Sequence, residues 1–311
     1  MDLLILIVGL LLLVGGAELL VRGGGKLALA FRVPALIVGL TVVSFGTSSP
    51  EAAVSISAAL SGSTEAALAN VTGSNIANIL LVLGIASLVR PLPVDRSLIK
   101  RELPALVILQ LLVPVFCIDE QVVWWEGLIL LALGVTYTGL LVRSALKERR
   151  ESADIPVEKA EGWMSHWGVQ VAMVAVGIVV LVGGAQIFVH AAFSIATYAG
   201  FSDRFIGLTV IALGTSAPEI VTGAVSAWRG EVELALGNSI GSNILNISMV
   251  LAITSLIRPV GFTDPNTWID LMVANGCALL LAFTVLASGR IGRVAGAGMI
   301  VMYLAYIGLA A

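Results

Sequence analysis

Apolar residues fall in long blocks along this chain, separated by short polar stretches. Ten blocks stand out, at 3–21, 34–60, 65–89, 102–118, 123–145, 168–190, 205–228, 233–257, 268–287 and 292–310. About 20 apolar residues carry an α-helix across a bilayer. The pattern therefore predicts an all-α membrane protein of ten transmembrane helices, with 102–118 the shortest span. The first block is preceded only by Asp2, where a signal peptide carries basic residues, and no small-residue cleavage site stands out. It reads as a retained helix.

Composition supports this pattern. Of 311 residues, 58% are hydrophobic and only 12% charged, and mean hydropathy is +1.03. A soluble domain would be about one-quarter charged. The basic residues are distributed unevenly. With ten helices, the odd-numbered loops hold fifteen of the seventeen, among them Arg22, Arg90, Lys100, Arg143 and Arg293; only Arg204 and Arg258 fall on the other side. The crowded side is expected to be cytoplasmic. Both termini then lie on the outer side of the cell (inner) membrane. No basic patch carries interleaved aromatics, so nucleic acid is excluded as a partner. Cys117 and Cys277 are isolated and make neither a disulfide framework nor a soft-metal site. His166 and His190 sit near span ends, as interface residues rather than metal ligands.

The chain repeats itself 168 residues later. Gly46-Thr47-Ser48-Ser49-Pro50-Glu51 returns as Gly214-Thr215-Ser216-Ala217-Pro218-Glu219, Gly73-Ser74-Asn75-Ile76-Ala77-Asn78 as Gly241-Ser242-Asn243-Ile244-Leu245-Asn246, and Arg90-Pro91 as Arg258-Pro259. Between 39–91 and 207–259, 28 of 53 positions are identical without a gap. Each half holds five predicted helices, an odd number, so the second half enters the membrane from the opposite side. Such inverted repeats are typical of secondary transporters, with the binding site at the midplane between the halves. The expected organisation is a five-helix repeat at 1–145, a charged cytoplasmic linker at 146–166 and a second five-helix repeat at 167–311.

Glu51 and Glu219 lie deep in the second and seventh spans. A carboxylate at mid-membrane costs at least ~2.5–3.5 kcal/mol, and no lysine or arginine is predicted at that depth. A bound cation is the simplest partner; protonated carboxyls hydrogen-bonded in the bundle are the alternative. Pro50 and Pro218 cannot donate to the carbonyls of Gly46 and Gly214. Each span should therefore break into two half-helices, with Ser49 a candidate N-cap before Pro50. Irregular backbone at this depth must be buried in protein or line a cavity. Freed carbonyls near Gly46-Thr47 and Gly214-Thr215, and the hydroxyls of Thr47, Ser48, Thr215 and Ser216, then belong to the site. Ser74, Asn78, Ser242 and Asn246 add hydroxyls and amides, and Asn70 and Asn238 carry a weaker claim. An all-oxygen set suits a hard cation. Calcium takes six to eight such ligands in flexible geometry, whereas zinc brings His or Cys. Glu18 reads as paired with Arg22, and Glu65 and Glu233 as helix-starting acids.

At these motifs the sequence resembles the calcium/cation antiporter superfamily, nearest its prokaryotic sodium/calcium exchanger branch, over the whole chain. The resemblance implies a site core from the second, third, seventh and eighth helices, with the first and sixth sliding across it. It also implies Glu51 and Glu219 as shared calcium and sodium ligands and backbone carbonyls from Thr47 and Thr215. Ser48, Ser216, Ser74 and Ser242 would supply oxygens mainly to sodium, and Asn78 and Asn246 would complete the site. Potassium-dependent relatives and some prokaryotic members carry Asp where this chain has Asn246, and potassium independence is expected.

Calcium exchange for sodium by alternating access is thus the leading expectation, with a calcium/proton antiporter of the same fold as its alternative. Saturating counter-ion-dependent flux separates both from a channel. An intramembrane enzyme lacks a nucleophile with a histidine base. No cofactor or obligate protein partner is expected; the partners are calcium, sodium and the bilayer.

Overall fold

The computed structural model describes residues 2–151, 166–199 and 212–310. The start of the predicted span at 205–228 and most of the linker at 146–166 lie outside them. What is described is helical apart from short connections. α1 covers Asp2–Phe31. α2 (Ala35–Thr47) and α3 (Ser49–Ser61) form one span bent by 46°. α4 covers Thr64–Val89. A π-helical turn at Leu98–Glu102 leads into α5, Leu103–Phe116. α6 runs Trp124–Glu151, beyond the boundary expected at 145. In the second half, α7 covers Trp167–Tyr198, α8 Ala212–Thr215 and α9 Ala217–Arg229. α10 covers Val232–Ile257, α11 Asn266–Ser288 and α12 Arg293–Ala310.

Among the described residues, six helices are long and apolar enough to cross a membrane, or seven with the bent α2–α3 pair. This is fewer than the ten blocks in the sequence, for local reasons. α5 is shortened by the π-turn at its start, the span containing α8–α9 begins outside the described residues, and α12 is slightly short. The protein is an integral membrane protein, and its surface exposes large apolar side chains such as Phe45, Ile108 and Phe283.

Four two-residue strands tie the halves together. β1 (Leu92–Pro93) follows α4 and pairs with β4 (Arg290–Ile291), before α12. β3 (Val260–Gly261) follows α10 and pairs with β2 (Gln121–Val122), before α6. Each ribbon takes the strand after the long central helix of one half and joins it to the last hairpin of the other. α4 begins beside β3, where Thr64 Oγ1 donates to the Gly261 carbonyl at 3.3 Å, and ends at β1. A helix of this length rises about 1.5 Å per residue, so the ribbons sit at opposite ends of a membrane-length helix. α10 runs the other way: Arg90, at the end of α4, reaches Gly230 before α10, and Arg258, at the end of α10, reaches Gly62 before α4. Both glycines hold positive φ, +89° at Gly62 and +83° at Gly230, as the left-handed caps of α3 and α9. Each arginine thus sits at a helix C-terminus donated by the other half, where positive charge is favoured.

α1 and α7 pack along each other as a pair. At their crossing a Cβ on Gly16 would lie 2.4 Å from the Leu181 nitrogen, and one on Gly177 would lie 2.7 Å from the Leu20 nitrogen. Only glycine permits that approach of backbones. A large apolar core around α4 and α10 includes Leu68, Ile79, Leu106, Leu236 and Leu281, and a second cluster joins α1 and α7 to Val38, Val43, Val225 and Leu234.

The repeat reaches past the motifs that announced it. Tyr137 on α6 donates to Glu102 Oε2 at 2.6 Å, and Tyr306 on α12 donates to Asp270 Oδ1 at 2.8 Å. The same acid–tyrosine link joins the last two helices of each half.

Candidate ion site at the helix breaks

The breaks in the two halves have the same backbone. Ser48 has φ −84° and ψ 4°, and Ser216 has φ −85° and ψ 2°. Helix resumes at the next residue, with proline in its first turn. The cap position belongs to Ser48, not to Ser49 as expected, and the Ser48 side chain does not cap its own helix. The Ser49 hydroxyl instead donates to the Gly46 carbonyl at 2.8 Å. It takes the place of the N–H that Pro50 lacks, so the Gly46 carbonyl is satisfied locally and is not left for the site. Ala217 stands at the equivalent position and has no hydroxyl to do the same for Gly214.

Glu51 and Glu219 fall in the first turns of α3 and α9. They are 1% and 0% exposed. Ser48 Oγ donates to Glu219 Oε1 at 3.2 Å, joining the break of one half to the acid of the other. Both Glu51 oxygens and Glu219 Oε2 have no protein partner. Unpaired buried carboxylates carry a penalty of several kcal/mol. Asn78 Oδ1, Asn246 Oδ1, Ser216 Oγ and Ser242 Oγ are also unpartnered and buried, and so is Asn238 Nδ2, which is a hydrogen-bond donor. Hard cations take the oxygens among these.

The remaining predicted residues are placed as follows. Ser74 is buried on α4 and Ser242 on α10. Asn78 and Asn246 each open a π-helical turn, at Asn78–Val82 and Asn246–Leu251. Such turns recur at functional sites because they release a carbonyl from the helical ladder. Ser239 Oγ donates to the Asn78 carbonyl at 2.5 Å. The Thr47 hydroxyl donates to Asn238 Oδ1 at 2.9 Å and to the Ser44 carbonyl at 3.3 Å. Its proton is thus directed to protein, while its oxygen lone pairs and the backbone carbonyl are what Thr47 can offer an ion. Thr215 is half-buried at the end of α8.

Several residues near the site were undervalued or missed in the sequence. Asn238 is fully buried and bridges to Thr47. Asn70, its counterpart, turns to the Glu51 carbonyl at 3.1 Å and to Ser55 Oγ at 2.9 Å. Asn75, Asn243 and Gln110 form a buried amide cluster. Gln110 is a lone amide in an apolar span, a signal that could have singled it out. Glu18 pairs with Arg22 as expected, but also with Arg229 at the end of α9, whose Nε lies 2.9 Å from Glu18 Oε2. Glu65 accepts from the Thr263 and Asp264 nitrogens, and Glu233 accepts from the Leu36 nitrogen.

The family model described as sodium/calcium exchanger protein matches residues 1–143 and 169–311. The chain belongs to that family. The chain is 36% identical over 304 residues to the putative antiporter CaxA of Alkalimonas amylolytica, covering 97% of this chain and 95% of the relative. It is 39% identical over 264 residues to the inner membrane protein YrbG of Escherichia coli, covering 84% and 81%. Its fold matches a solved structure of the sodium-calcium exchanger NCX_Mj with a TM-score of 0.85 at 30% identity, covering 99% of this chain and 98% of that one. The resemblance read from the repeated motifs is thus borne out.

Proposed function

We propose that this exchanger moves calcium against sodium across the inner membrane by alternating access. Glu51 and Glu219 are its central ligands, and Thr47, Thr215, Ser48, Ser216, Ser74, Ser242, Asn78 and Asn246 complete the oxygen set. One observation carries this reading. Two fully buried carboxylates, contributed by opposite halves, are linked through the first break, where Ser48 donates to Glu219, and three of their four oxygens have no protein partner. Two negative charges balance one divalent ion, while sodium or protons occupy the same acids on the return step.

The antiparallel course of α4 and α10 and the reciprocal ribbons support ten spans in two inverted repeats. They also support placing the loops at β1 and β4 on one membrane side, the basic, cytoplasmic one, with both termini opposite. The glycine contact between α1 and α7 suits a pair that shifts as a unit across the site. The likeness to NCX_Mj favours sodium as counter-ion, and Asn246 favours potassium independence.

The test is calcium uptake into proteoliposomes under separate sodium, potassium and proton gradients. Uptake should follow the sodium gradient and ignore potassium. Uptake driven only by a pH gradient would redirect the assignment to calcium/proton exchange, and absence of calcium uptake under every gradient would refute it.

A further inference from the structure

Asn246 is anchored by a chain of amides that ends outside the ion site. Its Nδ2 donates to Asn75 Oδ1 at 3.1 Å, and Asn75 Nδ2 donates in turn to Gln110 Oε1 at 3.0 Å. An amide has a donating and an accepting end, so each link fixes the orientation of the next. The Asn243 backbone carbonyl lies 3.5 Å from the same Asn75 Nδ2, a longer and weaker second acceptor, so the Gln110 oxygen is the main acceptor that holds the Asn75 amide. With its nitrogen held by Asn75, Asn246 turns Oδ1 the other way, and that oxygen has no protein partner.

We infer that Gln110 is a positioning residue for ion binding, holding the Asn246 carbonyl oxygen toward the ion through Asn75. This inference rests on Asn246 being an ion ligand. The relay serves one half only. Asn243, the counterpart of Asn75, directs its Nδ2 to the Asn75 backbone carbonyl at 3.2 Å, so no equivalent chain runs to Asn78. Two ligands at equivalent repeat positions are thus held differently. Asn246 is locked as an acceptor, whereas Asn78 is anchored through its backbone by Ser239. Without the Gln110 oxygen, the Asn75 amide is free to turn, and the Asn246 amide with it. A rotated Asn246 presents N–H groups, which repel a cation. All three amides are buried, at 1% exposure for Asn75, 2% for Gln110 and 0% for Asn246, so water does not replace a lost partner at little cost.

Equilibrium radiocalcium exchange by the full chain in proteoliposomes tests the relay without reference to the counter-ion. Gln110→Met removes the acceptor at similar volume, and Asn75→Ala removes the middle link. Each should raise the calcium concentration for half-maximal exchange by about 5- to 30-fold, the effect of one or two lost hydrogen bonds. Maximal exchange should stay within about twofold, because a ligand orientation is lost and not the transport cycle. The double variant should be no worse than Asn75→Ala alone, since both changes cut one chain. Wild-type half-saturation in Gln110→Met, or penalties that add in the double variant, overturns the relay. If Gln110→Met does not fold, wild-type half-saturation in Asn75→Ala overturns it equally. Asn246→Ala separates the two levels. Wild-type exchange there defeats Asn246 as a ligand, whereas a defect there beside normal Gln110→Met defeats only the relay.

Discussion

The Ser48 hydroxyl of the first half donates to the Glu219 carboxylate of the second at 3.2 Å. This one contact registers the two helix breaks against each other. A hydrogen bond to a charged acceptor contributes about 1.5–3 kcal/mol. In the proposed site Ser48 also serves mainly sodium. Ser48→Ala should therefore raise the sodium concentration needed for half-maximal exchange more than the calcium concentration. Competition of sodium against radiocalcium measures the ratio, and an unchanged ratio counts against this role.

Neighbouring glycines on α1 should respond in opposite ways. A side chain at Gly16 meets the Leu181 backbone, while one at Gly15 meets nothing within 4 Å. Gly16→Val should destabilise the protein by about 1–3 kcal/mol or more, as overpacking against rigid neighbours does. Gly15→Val should be tolerated. Thermal melting in detergent compares the two, and equal melting temperatures would show that α1 and α7 do not depend on close backbone contact.

Glu18 bridges α1 to Arg229 but remains partly exposed at 22%, against 35% for the arginine. Exposed ion pairs contribute about 0–1 kcal/mol. Glu18→Gln should therefore leave the melting temperature nearly unchanged. A large loss would mean that this pair holds the bundle together.

Asn246→Asp should alter ion preference without loss of fold, because it adds a potential negative charge at a fully buried position. Exchange measured across sodium and potassium series gives the comparison. A profile identical to the wild type would remove Asn246 from the site.

Much of this arrangement was legible because the chain states it twice. Pro50 and Pro218, each followed by glutamate, marked breaks in apolar spans, and a common offset paired Asn78 with Asn246. What could not be read depends on geometry below the resolution of periodicity. A π-turn inserts one residue without altering the run of apolar positions, so those at Asn78 and Asn246 left no trace. The serine that caps Gly46 is distinguishable from the serine that reaches Glu219 only once the bend is known. Two-residue strands such as Leu92–Pro93 carry no alternation to detect. The Gln110 relay joins helices distant in sequence, and the repeat gives no hint of it, because Ala278 stands 168 residues after Gln110.

The central claim is that Glu51 and Glu219, from opposite halves, hold one calcium ion between them. Radiocalcium uptake by proteoliposomes of Glu51→Gln and of Glu219→Gln tests it most directly, with melting in detergent to confirm folding. Both variants should fold, since each replaces a buried charge with a neutral amide of the same shape, and both should take up calcium no faster than empty liposomes. Wild-type uptake by either folded variant would contradict the shared site.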